Sequence, residues 1–152
     1  MASRRKYMID DRMWHMMQKR LGYTDEEFKL FRTNKRNEHV ISKAEQLLQT
    51  RFIVEVIESQ GCNSRHKVGD RFYLDGHGNI TKSDNPDKIC IFALRALSGL
   101  VFASLELIYA GIDPNEMCFR SVGCLDVGIK CDGWGKIIMR LSSEKHETTQ
   151  AR

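Results

Sequence analysis

Proline is scarce, with two in 152 residues, and no low-complexity run is longer than the last ten residues. This excludes a Pro-rich or repetitive chain and confines the expected disorder to the ends. No Cys-x2-Cys or His-x3-His pair occurs, so the close ligand spacing of most structural zinc sites is missing, and no known catalytic signature matches. The opening Met1-Ala2-Ser3-Arg4-Arg5-Lys6 is basic but runs into Asp10-Asp11 instead of an apolar segment. It therefore reads as no secretory signal, and a cytoplasmic location is expected. The cysteine count is five, an odd number. Without an export signal, that implies reduced thiols rather than a disulfide framework.

What is present is ordinary for one globular domain: 41% hydrophobic and 29% charged residues in a chain of about 150 residues. The net charge of +4 lies entirely in residues 1–50, which hold eleven Lys or Arg against seven Asp or Glu; the remainder is balanced at thirteen each. Because Asp10, Asp11, Asp25, Glu26, Glu27, Glu38 and Glu45 are interleaved with the cations, a mixed-charge helical surface is favoured over a nucleic-acid interface.

Helical periodicity dominates the first fifty residues. Asp10 or Asp11 caps a helix carrying Met13, Trp14, Met16, Met17 and Leu21 and ending at Gly22. Thr24-Asp25-Glu26-Glu27 is a capping box ahead of Phe28, Leu30 and Phe31. A third helix carries Val40, Ile41, Ala44, Leu47 and Leu48. From Arg51 the pattern turns β-branched, and Phe52–Ile57 predicts a strand. Val68–Leu74 leads into a second strand, followed by the turn Asp75–Asn79 and the polar loop Lys82–Asp87. Ile89–Ala110 is the longest apolar stretch, closed by Gly111. Arg95 and Glu106 interrupt it, which favours a helix buried in a soluble domain over a membrane span. Strands are expected at Met117–Val122, Leu125–Ile129 and Gly135–Leu141. The fold class that follows is α+β: an N-terminal helical arm (1–50), a core (51–141) of mostly antiparallel sheet packed on one long central helix, and a solvated tail (142–152).

The chemistry-bearing residues concentrate in Gly61-Cys62-Asn63-Ser64-Arg65-His66-Lys67-Val68-Gly69-Asp70. Cys62 with His66 forms the candidate catalytic pair, since a nearby imidazole and cations raise the thiolate fraction. Cys62, His66, Cys118, Cys124 and Cys131 form a candidate metal set for zinc or iron, the ions that soft thiolates select. Arg95 and Glu106, eleven residues apart, share one helix face with Ser98, Gly99 and Ala103 between them, and with Asp126 they are the candidate binding residues. Asp126 and Asp132 could also set a carboxylate beside Cys124 and Cys131, although an aspartate at a turn more often bonds its own backbone. Cys90, among Ile89, Ile91 and Phe92, reads as a small buried hydrophobe.

Residues 51–141 resemble an uncharacterised family of small cysteine-containing prokaryotic proteins. The shared elements are Gly61-Cys62 after the first strand, Lys67-Val68-Gly69-Asp70 entering the second, Cys90 opening the apolar helix ahead of Ala93-Leu94, and Gly123-Cys124-Leu125-Asp126 with Cys131 before the last strand. The resemblance implies a common fold and a cysteine-lined region.

Three functional expectations follow. The first is an accessory or small subunit of a hetero-oligomeric metabolic enzyme, with a cysteine-lined site near the Cys62 loop. Its partner would be a larger protein subunit, or a second copy, gripped through residues 8–50, where Trp14, the methionines and Phe31 offer adhesive surface. The alternatives are a stand-alone cysteine- or metal-dependent enzyme, and a small-molecule binding or regulatory module.

Overall fold

The computed structural model describes residues 9–82 and 84–146. The basic opening segment, Ser83 of the polar loop and residues 147–152 of the expected tail lie outside the described residues. The chain divides into two compact units, one ending at Glu45 and one beginning at Gln46.

In the first unit, helix α1 (Asp11–Leu21) starts where the Asp10 carboxylate accepts the Met13 N–H at 2.8 Å, and it ends on Gly22 in the left-handed region. Helix α2 (Asp25–Thr33) has the capping box: Thr24 Oγ1 accepts the Glu27 N–H at 3.3 Å and the Glu27 carboxylate accepts the Thr24 N–H at 2.9 Å. Helix α3 (Lys35–Ile41) is capped by Asn34. Trp14, Phe28 and Ile41 form a small core, with Phe31 packed against it and Arg32 over the Trp14 ring at 5.2 Å. The third expected helix is broken, because Ser42 Oγ donates to the His39 carbonyl at 2.6 Å and the chain turns before α4 (Ala44–Leu48).

The second unit is a four-stranded antiparallel sheet in the order β2-β1-β4-β3: β1 (Thr50–Gln60), β2 (Arg71–Asp75), β3 (Ser121–Gly123) and β4 (Lys136–Lys145). Alternation sends Phe52, Val54 and Val56, Phe72 and Leu74, and Ile137, Met139 and Leu141 to one face. Helix α5 (Ile91–Ala110) covers that face with Ala93, Leu97, Val101, Ser104 and Ile108, a buried stripe at helical spacing. Each of the larger side chains contributes roughly 1.5–3 kcal/mol by leaving water. The opposite sheet face is polar, with Arg51 bonded to Glu144 at 2.8 Å and Arg71 to Glu55 at 3.3 Å. By length and composition α5 is apolar enough to cross a membrane; here one side closes the sheet and the other, including Phe102, is exposed.

The last third departs from expectation in three places, the first being that where a strand is expected at Met117–Val122 only Ser121–Gly123 pairs in the sheet. Ser142–Lys145 extend β4 along Thr50–Ile53 instead of starting a tail, helped by Asn115, which bonds the Ser143 backbone on both sides at 2.9 and 3.0 Å. Leu125–Ile129 forms no strand. The Asp126 carboxylate accepts the N–H groups of Gly128, Trp134 and Gly135 at 3.0–3.1 Å, which gathers this stretch into a loop.

Candidate functional site: a cavity with three thiols

One end of the second unit brings together the C-terminal ends of β1 and β3, the start of β4 and the N-terminus of α5, and each of three of these elements carries a cysteine there. Cys62 follows β1, Cys90 is the N-cap of α5 and Cys124 follows β3. All three line a cavity of about 310 Å³, together with Ser64, Phe92, Trp134 and Lys136. They are unpaired and half-buried, at the margin of the main core. The approach of the Cys62 loop to the Trp134 segment depends on two glycines packed backbone to backbone. Gly61 has φ 61°, and a Cβ on Gly135 would overlap the Gly61 carbonyl.

The thiols differ in environment. Cys124 Sγ accepts the Ile137 N–H at 3.3 Å and its thiol points toward the Asp126 carbonyl at 3.7 Å, so it is tied to the sheet edge. The Cys90 side chain closes no cap hydrogen bond. Burial pushes its thiol up, but the Ala93 and Phe92 N–H groups and the Ser64 hydroxyl outweigh that and hold it below the ordinary thiol pKa. The positive end of a 20-residue helix acts in the same sense without needing a closed bond. Cys90 is therefore held toward its thiolate form by its place at the start of α5. Lys136 supplies a cation to the cavity wall, held raised by its hydrogen bond to Glu58 at 2.8 Å.

Several expected site residues sit elsewhere. His66 is buried with its ring edge-on to Phe72 at 5.0 Å, its Nδ1 lies 3.8 Å from Asp70, and it does not line the cavity. The Cys62–His66 pair is therefore not assembled. Cys118 and Cys131 are exposed, and among the described residues no group of three or more His, Cys, Asp or Glu is placed to hold a metal ion. The residues present do not fit the zinc or iron site expected of Cys62, His66, Cys118, Cys124 and Cys131. Arg95 and Glu106 do share a face, the exposed face of α5 opposite the core, and neither lines the three-thiol cavity. Asp126 borders the cavity, yet its carboxylate is engaged by the Gly128 and Gly135 N–H groups first and then that of Trp134. These hold it below its usual pKa against the opposing effect of burial.

Cys90 is the residue that composition and periodicity placed in the core. Its neighbours Ile89, Ile91 and Phe92 are apolar, and only its position at the opening of the helix signalled a cap.

No protein-family model, curated protein or solved structure matches the chain. The resemblance noted above is thus carried by its motifs alone.

Proposed function

We propose that this chain is an accessory subunit with a thiol-lined binding pocket, closed in the assembled enzyme by a larger partner chain. The carrying observation is the rim of the three-thiol cavity, where Phe92 is 58% and Trp134 88% exposed. The loop that walls the cavity also exposes Leu125, Val127 and Ile129. Aromatic side chains of this kind beside a concave site are the anchors of protein interfaces. The arm supports gripping less than its composition suggests, since Trp14, Phe28 and Phe31 pack on one another. Within the pocket Cys90 is the group that engages a ligand, as a thiolate nucleophile or soft donor, with Lys136 placed to meet negative charge. A cytoplasmic setting fits this chemistry because it keeps such thiols reduced.

A second reading, a stand-alone cysteine-dependent enzyme, is favoured by the lowered pKa of Cys90. Isolating the untagged protein from its source and measuring its native mass separates the two. A larger chain should co-migrate, the paired substitutions Phe92→Ala and Trp134→Ala should release it, and alkylation of Cys90 by iodoacetamide should be slowed in the complex. A protein composed only of this chain, with Cys90 equally open throughout, would overturn the subunit reading in favour of the second.

A further inference from the structure

We propose that the exposed face of α5 is the contact surface for a second copy of this chain, the two helices crossing antiparallel about a twofold axis between Leu100 and Val101. Arg95, Gly99, Phe102 and Glu106 follow one another at intervals of four, three and four residues. At about 100° per residue they fall on a single stripe, on the side opposite the buried Ala93, Leu97, Val101, Ser104 and Ile108. All four are exposed, Phe102 by 65%.

The stripe is self-complementary only in the antiparallel sense. A twofold axis at its midpoint sets each residue against the one equally far on the other side. Arg95 then meets Glu106 of the second copy and Phe102 meets Gly99, each pair occurring twice. Inside the chain neither Arg95 nor Glu106 enters an ion pair among the described residues. A Cβ added at Gly99 would meet nothing within 4 Å, so the position is an open notch for the partner's phenyl ring. Ser98 and Ala103 flank the stripe on either side, two small residues that let the backbones approach. The spacing of four, three and four is the seam along which helices interdigitate near a 20° crossing. An apolar hollow of about 330 Å³, bordered by Ile80, Leu94 and Leu105, flanks the stripe and widens the apolar contact. Parallel packing would instead set Arg95 on Arg95 and Glu106 on Glu106, so the charges select the antiparallel pair.

Sedimentation velocity on the purified full chain tests this without any larger partner, so its outcome is independent of the accessory-subunit reading. A species of twice the 17.6 kDa chain mass is expected. Arg95→Glu places like charges at both symmetric pairs and should raise the dissociation constant at least about tenfold. Glu106→Arg should do the same, and the two changes combined should restore the wild-type constant. Circular dichroism should be unchanged in all three, because both side chains are exposed. A monomer at concentrations up to about 100 µM, a dimer indifferent to the single reversals, failure of the double reversal to rescue, or co-flotation of the wild-type monomer with phosphatidylcholine vesicles would each overturn the proposal.

Discussion

Replacing Gly135 by Ala probes the one place where the thiol cavity depends on backbone meeting backbone. Gly135 has an ordinary φ, so the effect is contact alone. The new Cβ would overlap the Gly61 carbonyl carbon and oxygen and lie 2.8 Å from the Gln60 carbonyl, all of them main-chain atoms that cannot rotate away. Relief requires the end of β1 to part from the start of β4, which loosens the Gln60–Lys136 and Ser59–Ile137 rungs. Two weakened backbone hydrogen bonds at about 1 kcal/mol each, with partial exposure of the buried Ile137 costing about another 1 kcal/mol, give a loss of about 3 kcal/mol. For a domain of this size the melting temperature should fall by roughly 10 °C. Gly123→Ala is the matched control, since its Cβ would find only the Ile137 carbonyl at 3.9 Å and should change stability by less than about 0.5 kcal/mol. Thermal melts followed by circular dichroism measure both, and iodoacetamide labelling should show Cys62 and Cys124 more open in the Gly135 variant alone. Equal melting temperatures for the two variants would refute the claim that this glycine pair holds the cavity together.

Three further outcomes are expected. Alkylation of Cys90, followed by peptide mass spectrometry against pH, should reach half its maximal rate below the ordinary thiol pKa of about 8.5, and Ser64→Ala should move that midpoint upward. An unmoved midpoint would remove Ser64 from the site. Because Asp126 is held below its usual pKa by the Gly128 and Gly135 N–H groups, its stabilisation is complete above the ordinary carboxylate value of about 4 and is lost as pH falls through the lower folded value. Urea midpoints should therefore drop more steeply in acid for the wild type than for Asp126→Asn; parallel curves would contradict this. His66→Leu should leave stability equal or raise it by about 1 kcal/mol, because it deletes the buried Nε2 that has no hydrogen-bond partner. A fall in the urea midpoint would show that the ring nitrogen is engaged.

Much of the fold was legible because local signals and burial agree. The Asp10 cap, the Thr24–Glu27 box, the left-handed stops at Gly22 and Gly111, and the alternation of Phe52, Val54 and Val56 are each written within a few residues. The third helix was misread for a local reason, the Ser42 bond to the His39 carbonyl, whereas two stretches of the last third were misread because partners elsewhere along the chain set their structure. Val127 and Ile129 look like a strand until Asp126 captures amides from Trp134 and Gly135. Ser142–Lys145 look like a tail until β1, some ninety residues earlier, pairs with them. The site was half legible for the same reason. Cys62 and Cys124 stood out beside glycines at element ends, whereas Cys90 was masked by apolar neighbours. His66, four residues after Cys62, packs edge-on to Phe72 and does not line the cavity.

The carboxylate of Asp126 grips the chain at Gly128, Trp134 and Gly135, and between those grips the main chain closes on itself, the Cys131 and Gly133 N–H groups donating to the Gly128 carbonyl at 3.0 Å while the Ile129 and Cys131 side chains stay exposed. Side-chain changes at the exposed Ile129 and Cys131 would accordingly reshape the outer lip of the cavity while its sulfur-bearing floor stays anchored. Rim and scaffold can then vary on separate stretches of the chain.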